Sequence, residues 1–296
     1  MSLQNTAVPS TGAATASERV AQHRRYLMCR PQYFTVSYEI NPWMHKAEPT
    51  DTSNALRQWQ TLYDTYLSLG HEIELIDPIE GLPDMVYTAN GGFIIDGKAL
   101  GVRFSVGERR GEERPFMDWF AAHGFEVVEP VAVQEGEGDI LLAGSTILAG
   151  YGFRSSLESH REIADVFGRE VVSLHLVNPD FYHLDTAISV LDPVEGSGGV
   201  DKANIAYLPG AFDDASRGIL QERFPDAIRV ADADGAVFGL NSASDGRNVF
   251  ISPRATGYDA QLRERGYHPV HVDLSELLHG GGGIKCCTLE LRGGQR

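Results

Sequence analysis

The sequence GGGGIKCCTLEL, from Gly280 to Leu291, joins a run of glycines to a short segment that carries two of the chain's three cysteines. If the second half is extended, alternation places Cys287 on an apolar face with the two leucines and Cys286 on the opposite face. A thiol is the strongest nucleophile among the side chains, and glycines let the backbone approach a ligand closely. Cys286 is therefore a candidate nucleophile. The alternative is that both cysteines are small apolar residues of the core, which is the more common role of free cysteines.

A cysteine nucleophile needs a base or a cation nearby and an acid for the leaving group. The sequence YHLDTAISVL, residues 182–191, predicts a strand with one mostly apolar face. His183 and Asp185 would share the other face with small residues, so that both could line one pocket with Cys286. Taken alone, the segment is better explained as a half-buried edge strand with a solvated histidine.

Two further segments combine polar side chains with strand-like alternation. In PDMVYTANGGF, residues 83–93, Asp84 and Asn90 fall on the same parity. EGEGD, residues 135–139, predicts an acidic, glycine-rich loop that enters an apolar strand, and its carboxylates repel one another unless a cation lies among them. Turn glycines and surface acids would explain each segment separately, but not four such units spread along one chain.

Together these motifs resemble the guanidine-modifying enzymes of the pentein superfamily, which include arginine deiminases, dimethylarginine dimethylaminohydrolases, amidinotransferases and arginine dihydrolases. In chain order the motifs are Pro-Asp-x5-Asn, Glu-Gly-x-Gly-Asp, Gly-x3-Arg at residues 150–154, His-Leu-Asp-Thr and Gly-x-Lys-Cys-x-Thr-Leu. The resemblance covers residues 27–291, nearly the whole chain. It implies an α/β fold, a five-bladed α/β propeller of pseudo-repeats with strands near the axis and helices outside.

The alternation of helical and strand-like segments fits that architecture. Amphipathic segments that end near glycine or proline predict helices, and a β-rich segment follows each one. The predicted helices are residues 53–69, 113–123, 156–167, 213–224 and 260–266, and the predicted strands are residues 73–76, 127–128, 171–176, 228–230 and 269–272. We expect one domain over residues 25–296, a disordered arm at residues 1–24 and a hairpin or surface loop at residues 195–199.

The resemblance implies a covalent mechanism at a guanidinium carbon. Cys286 would attack that carbon while Asp84 and Glu135 hold its nitrogens. His183 would protonate the departing nitrogen and then act as the base for water, with Asp185 orienting it. The implied intermediate is a thiouronium on the cysteine, and we expect neither a cofactor nor a metal.

The amino-acid end of the substrate would lie against further polar residues. Arg103 and Arg154 occupy positions that the family uses for the substrate's carboxylate, and an ordinary surface charge explains Arg103 equally well. Asn41, from the sequence INPWM at residues 40–44, and Asp139, from the acidic loop, complete the predicted binding residues. The sequence leaves open which acid of that loop is the catalytic carboxylate.

Asn90 departs from the pattern of deiminases and dimethylarginine hydrolases, which usually carry an acid there. An acid would repel the ureido oxygen of citrulline, whereas an amide can donate a hydrogen bond to it. Together with INPWM, this residue resembles the arginine dihydrolase branch, which takes arginine through a second hydrolysis to ornithine, carbon dioxide and two ammonia. We therefore favour arginine dihydrolase, with dimethylarginine hydrolase as the alternative and deiminase or amidinotransferase after it.

Two other classes of function fit the sequence less well. A non-catalytic pentein, like the ribosome-associated initiation factor of the superfamily, would lack the pair of Cys286 and His183. A metal enzyme using His183, Asp185 and Glu137 would be expected to show a His-x3-His or Cys-x2-Cys spacing, and neither occurs.

Composition narrows the partners and the compartment. A net charge of −16 argues against nucleic acid and anionic membranes and suits a small cationic guanidino amino acid. The sequence has no apolar run of about 18 residues, so we expect no membrane span. Three cysteines without a disulfide framework favour a reducing, cytoplasmic compartment, and a homo-oligomer is compatible with the sequence.

Overall fold

Five three-stranded sheets built on one plan are present in the computed structural model, which describes residues 19–192 and 203–293. In each sheet the middle strand pairs antiparallel with one neighbour, here named the inner strand, and parallel with the other. A helix connects the middle strand to its parallel partner in every repeat. The prediction of an α/β pentein fold with five pseudo-repeats is confirmed.

The boundaries of the elements follow the repeats. The strands are Arg25–Cys29 (β1), Glu72–Ile76 (β2), Phe93–Ile95 (β3), Lys98–Leu100 (β4), Glu126–Val128 (β5), Ile140–Ala143 (β6), Thr146–Tyr151 (β7), Val171–His175 (β8), Ile188–Val190 (β9), Ile205–Tyr207 (β10), Ile228–Arg229 (β11), Ala243–Ser244 (β12), Asn248–Ile251 (β13), His268–His271 (β14) and Leu289–Glu290 (β15). The helices are Thr52–Ser68 (α1), Glu113–Ala122 (α2), Ser159–Phe167 (α3), Asp214–Arg223 (α4), Asp232–Gly235 (α5), Thr256–Glu264 (α6) and Ser275–Leu278 (α7). The sheets are β15-β1-β2, β3-β4-β5, β6-β7-β8, β9-β10-β11 and β12-β13-β14.

The five predicted helix-to-strand units are all present, with boundaries displaced by a few residues. Side-chain caps explain where two of the helices begin. Asp51 accepts a hydrogen bond from the backbone N–H of Asn54 at 3.0 Å before α1, and Asp213 accepts one from the N–H of Ser216 at 2.8 Å before α4. Gly168 ends α3 with φ of +62°, a conformation in which a Cβ would be strained.

The C-terminal segment closes the ring of repeats. Its strand β15 pairs with β1 near the start of the domain, with Leu289 opposite Leu27. Helix α1 packs on the same segment, since Trp59 and Tyr66 belong to one core cluster with Cys286 and Cys287. The loop that carries the cysteines is therefore fixed from both ends of the chain.

The four polar motifs share a turn structure, and for three of them this differs from the prediction. We expected strands over residues 83–93, 182–191 and 284–291, but each motif forms a 3₁₀ or other tight turn that leads into an inner strand. Only the acidic loop at residues 135–139, which enters β6, follows the prediction. A turn brings successive polar side chains to one point, whereas a strand would alternate them between faces.

The predicted arm and surface loop lie largely outside the described residues. Residues 1–18 and 195–199 belong to the parts that the structure does not describe. Residues 19–24 contact the domain: Arg19 donates to Asp192 at 2.6 Å and Arg24 to Glu290 at 3.0 Å. Within residues 19–192 and 203–293, none of the helices combines the length and apolar character that a bilayer crossing needs.

Candidate active site

The polar turns converge on a small cavity at one end of the ring. Its volume is about 240 Å³, and it is lined by Ile40, Asn41, Asp84, Tyr87, Asn90, Arg109, Arg154, Tyr182, His183, Gly280, Gly281 and Cys286. A second cavity of about 500 Å³ is lined by inner-strand residues and by Lys285. The charged groups that line this larger cavity are already paired, Lys285 with Glu137 at 2.7 Å and Arg292 with Glu290 at 2.8 Å, so the smaller cavity is the candidate active site.

Cys286 lies in a turn over residues 284–287 and its thiol is buried beside two polar side chains. Its Sγ donates to Asp185 Oδ2 at 3.3 Å and accepts from Asn241 Nδ2 at 3.0 Å. Burial raises the pKa of the Cys286 thiol well above its usual value, and the Asp185 carboxylate raises it further. These surroundings favour the protonated thiol, and a cation bound beside it would favour the thiolate.

Cys287 is packed in the core and does not line the cavity. The predicted division between the two cysteines is thus present, although a turn and not strand alternation produces it. The glycine run makes this turn possible by close approach: a Cβ at Gly283 would lie 2.9 Å from Asn241 Oδ1.

His183 is held by Glu135, not by Asp185 as predicted. His183 Nε2 and Glu135 Oε2 are 2.8 Å apart, and both side chains are buried. Burial would raise the pKa of Glu135, but Arg154 and His183 lower it below the usual range of a carboxyl. The ionised Glu135 therefore accepts the Nε2 hydrogen and leaves Nδ1 for proton exchange in the cavity.

Asp185 contacts the nucleophile and retains one unused oxygen. Oδ2 accepts from Cys286, whereas Oδ1 has no hydrogen-bond partner among the described residues. Burial raises the pKa of Asp185 to about 6. The role of orienting His183 that we assigned to Asp185 is wrong, because Asp185 points to the thiol.

Asp84 lines the cavity and presents a second unused carboxylate oxygen. It is fully buried, its Oδ1 has no hydrogen-bond partner among the described residues, and Oδ2 lies 3.9 Å from Arg109 Nε. Burial raises the pKa of Asp84, and the Arg109 guanidinium and the Tyr38 hydroxyl only partly offset that rise. Since buried polar atoms are nearly always paired, the unpaired oxygens of Asp84 on the cavity wall and of Asp185 next to the thiol indicate a site for a ligand with several N–H donors.

Arg109 is the cavity arginine that the sequence reasoning missed. It forms a bidentate pair with Glu112 at 3.0 and 2.7 Å, and its Nη1 donates to Asn90 Oδ1 at 2.8 Å. Arg103, predicted for this role, is exposed and donates to the carbonyl of Val131 at 2.9 Å. Within the charged sequence GERRGE nothing distinguishes the buried arginine from its exposed neighbour.

Arg154 and Asn41 lie where they were predicted, on the cavity wall. Arg154 Nη1 is 3.0 Å from Glu135 Oε2, and Nη2 donates to the carbonyl of Ile40 at 2.7 Å. Asn41 Nδ2 donates to the carbonyl of Gly280 at 3.1 Å. The segment around residue 40 therefore covers the cavity and is attached to both the acidic loop and the glycine run.

The other two acids of the loop, Asp139 and Glu137, do not line the cavity. Asp139 accepts from the backbone N–H of Leu184 at 3.0 Å and from Ser155 Oγ at 2.6 Å, so both oxygens are occupied in positioning the His183 segment. Its predicted role in binding substrate is wrong. Glu137 pairs with Lys285 at 2.7 Å, which leaves Glu135 as the acid that contacts His183.

Asn241 was also missed by the sequence reasoning. It lies just before the inner strand β12 and makes two hydrogen bonds to Cys286, one to Sγ at 3.0 Å and one from the backbone N–H at 3.1 Å. The pseudo-repeat contained the signal, since the other four repeats also place polar side chains in the turn before the inner strand. Aligning the repeats on their inner strands would have selected residue 241.

This fold and this site define a hydrolase of the pentein superfamily that acts on guanidino groups through a cysteine. The dimethylarginine dimethylaminohydrolase of Mycobacterium tuberculosis is 51% identical over 284 residues, which cover 96% of this chain and 91% of that protein. The bifunctional arginine dihydrolase/ornithine cyclodeaminase ArgZ of Synechocystis is 37% identical over 92% of this chain and 38% of its own length. The chain belongs to the family of guanidino hydrolases that includes these enzymes.

The solved structures agree on the fold. The N-terminal domain of ArgZ, described as an arginine dihydrolase bound to product, superposes with a TM-score of 0.85 at 36% identity, covering 92% of this chain and 98% of that domain. A dimethylarginine dimethylaminohydrolase adduct has a TM-score of 0.73 at 18% identity, covers 92% of this chain and all of that one, and shares the fold. A comparison with models of protein families gives no match.

Proposed function

We propose that the chain is an arginine dihydrolase, which hydrolyses arginine to ornithine, carbon dioxide and two ammonia through a covalent intermediate on Cys286. The observation that carries this proposal is the pair of buried, unpartnered carboxylate oxygens, one of Asp84 on the cavity wall and one of Asp185 next to the thiol. A guanidinium has five N–H donors in one plane, and two carboxylates facing it would fix its carbon against Sγ.

The amino-acid end of arginine would lie toward the arginines of the cavity. Arg109 and Arg154 both line it, and guanidinium groups bind a carboxylate with matched geometry. The segment at Ile40 and Asn41 would then close over the bound amino acid, because it already contacts Arg154 and Gly280.

The bound cation would convert Cys286 into a nucleophile. Its positive charge offsets the effect of burial and of Asp185, so the thiol loses its proton to His183. Sγ then forms a bond to the guanidinium carbon, a C–N bond breaks, and His183 returns the proton to the departing nitrogen as ammonia. His183 next removes a proton from water, the water oxygen bonds to the carbon, and the S–C bond breaks to give citrulline.

The second hydrolysis would use the same groups on the ureido carbon. Asn90 lines the cavity, its Oδ1 accepts from Arg109, and one Nδ2 hydrogen donates to the carbonyl of Glu135 at 3.2 Å. The other hydrogen on Nδ2 would donate to the ureido oxygen of citrulline, where a carboxylate would repel it. This interaction favours processing of a neutral second substrate.

Dimethylarginine hydrolysis is the second candidate, and the 51% identical mycobacterial relative favours it. Two methyl groups would replace two N–H donors of the guanidinium and would have to fit between polar groups. The cavity lining near Cys286 is mostly polar, which is why we rank unmethylated arginine first.

Product analysis tests the proposal. The purified protein is incubated separately with arginine, citrulline, dimethylarginine and agmatine, with Cys286→Ser as the inactive control, and products are quantified by mass spectrometry. Ornithine from both arginine and citrulline supports the proposal. Release of dimethylamine with arginine left intact would overturn it in favour of the second candidate.

The Asn90→Asp variant sharpens the same experiment. A carboxylate at residue 90 still accepts from Arg109 but repels the ureido oxygen, so the second hydrolysis should slow by about one to two orders of magnitude. The variant should then accumulate citrulline from arginine. Equal proportions of ornithine from both proteins would remove Asn90 from this role.

A further inference from the structure

Asn241 stands in the fifth repeat at the place where the other repeats carry the polar residues of the site. We propose that Asn241 is a catalytic residue, which stabilises the Cys286 thiolate through a hydrogen bond from its side-chain amide. The proposal deepens the proposed function, because it rests on Cys286 as the nucleophile.

The partners of Asn241 fix the orientation of its amide. Oδ1 is 3.1 Å from the backbone nitrogen of Cys286, which can only donate, and Nδ2 is 3.2 Å from the backbone oxygen of Asp185, which can only accept. The atom 3.0 Å from Sγ is therefore the nitrogen, and it donates to sulfur. All three contacts are buried, since Asn241 is 1% exposed.

This donor acts in the same direction as the backbone N–H of Gly283, which also lowers the pKa of the Cys286 thiol, and against burial, Asp185 and Cys287, which raise it. Asp185 Oδ2 lies 3.3 Å from Sγ and favours the protonated thiol, whereas an N–H donor favours the negatively charged form. A hydrogen bond to an ionised acceptor is roughly twice as strong as one between neutral groups, so it strengthens when the thiol proton leaves. The amide thus binds the attacking form of Cys286 more tightly than the resting form, as catalysis requires.

The glycine run places the amide at this distance. Gly283 lies against Asn241, where a Cβ would be 2.9 Å from Oδ1, so Gly283→Ala should push the amide away without altering its chemistry. The two changes, one that removes the donor and one that moves it, should have the same kind of effect on the thiol.

Alkylation of Cys286 by iodoacetamide measures the thiolate without any substrate. The rate is followed from pH 6 to pH 11, and peptide mass spectrometry locates the modified cysteine. The variants are Asn241→Ala, Asn241→Asp and Gly283→Ala, and Ser242→Ala is the matched control. Ser242 is the next residue, equally buried, and its hydroxyl donates to Ser189 at 2.7 Å, not to Cys286.

We expect Asn241→Ala to be alkylated about 10- to 100-fold more slowly than the parent at each pH, which corresponds to a thiol that is about one to two pH units less acidic. Asn241→Asp should be slower still, because it places a negative charge beside sulfur. Gly283→Ala should also slow the alkylation, and Ser242→Ala should leave its rate unchanged.

An unchanged alkylation rate in Asn241→Ala, together with reduced stability, would overturn the proposal and make Asn241 a purely structural residue. Asn241→Ser, which keeps a short donor, replaces Asn241→Ala if the latter does not fold, and it should slow the alkylation less. If the parent does not hydrolyse arginine but its variants still show the slower alkylation, the proposed substrate is disproved and the role of Asn241 stands.

Discussion

Cys286 and Cys287 are neighbours in the chain with opposite surroundings. Cys286 lines the cavity and contacts Asn241 and Asp185, whereas Cys287 is enclosed by apolar side chains of the core. Burial raises the pKa of both thiols, so burial alone does not identify the nucleophile. What distinguishes Cys286 is access to a ligand with positive charge, together with a donor aimed at its sulfur.

Serine substitutions separate the two cysteines. Cys286→Ser should abolish turnover and leave the thermal stability close to that of the parent, because the hydroxyl can use the same polar partners. Cys287→Ser should keep most of the activity but lose about 1–3 kcal/mol of stability, since it buries a hydroxyl among apolar groups. Turnover assays and urea unfolding measure the two effects. Equal loss of activity in both variants would contradict the assignment of the nucleophile.

Short turns before the inner strands are the elements that build the site. They are linked directly to one another: the N–H of Ala89 donates to the carbonyl of Cys286 at 3.0 Å, and the N–H of Glu137 donates to the carbonyl of Gly92 at 3.0 Å. The pair of Lys285 and Glu137 adds a bond between the cysteine turn and the acidic loop. The spacing between Cys286 and His183 therefore depends on contacts between turns.

The sequence predicted these elements unevenly, for physical reasons. Helices such as α1 and α4 were predictable because amphipathic spacing and caps are local. The turns were predicted as strands because a few alternating residues fit both structures, and only the tertiary contacts of buried groups decide between them. The burial of Arg109 and the exposure of Arg103 follow from the paths of distant segments, so local sequence could not separate them.

The substitution Gly138→Ala tests how tightly the turns are packed. A Cβ at this residue would lie 2.1 Å from Asn90 Nδ2 and 3.3 Å from His183 Nδ1. Gly138→Ala should displace Asn90 and lower kcat/KM at least 10-fold, with a loss of about 1–3 kcal/mol of stability. Steady-state kinetics with arginine and citrulline measure the change, and citrulline turnover should fall more.

Gly218 supplies the matched control for that substitution. It lies in helix α4 with nothing within 4 Å of its added Cβ. Gly218→Ala should leave kinetics unchanged and raise stability by about 0.5–1 kcal/mol, because alanine favours the helix. Wild-type kinetics in Gly138→Ala would show that Asn90 can move without consequence and would contradict the close packing of the turns.

At the scale of the whole molecule, the ring concentrates buried acids at and near the candidate active site. Asp84, Glu112 and Asp185 all have a pKa raised chiefly by burial, and the last two reach about 7 and about 6. The net charge of −16 adds to the repulsion that these groups feel. A cationic substrate would relieve this repulsion, so the free energy of unfolding and substrate binding should be linked through pH.

The dependence of stability on pH has a definite direction. Asp185 and Glu112 bind protons more tightly in the folded chain than in the unfolded chain, where their pKa is about 4. The folded state is therefore favoured most below pH 4, and this contribution, about 1–3 kcal/mol for each group, is lost as the pH rises through about 6 for Asp185 and about 7 for Glu112. Glu135 and His160 have the opposite sign. The effect of Glu135 falls below about pH 4.5 and outside this window, whereas burial lowers the pKa of His160, which stabilises the folded state as the pH rises toward about 6.5 and offsets part of the fall.

Urea unfolding between pH 5 and pH 8 should therefore show the free energy of unfolding falling as the pH rises. The Asp185→Asn variant has no ionisable group at residue 185. Its plot of unfolding free energy against pH should therefore be flatter than that of the parent between pH 5 and pH 6.5, and the two slopes should be similar above pH 7.

Saturating arginine, added to the Cys286→Ser variant to prevent turnover, should also flatten the curve, because the guanidinium lowers the pKa of both carboxyls that it contacts. An Asp185→Asn curve with the same slope as the parent between pH 5 and pH 6.5 would contradict the raised pKa of Asp185. Arginine that stabilises equally at pH 5 and pH 8 would contradict the placement of its guanidinium between Asp84 and Asp185.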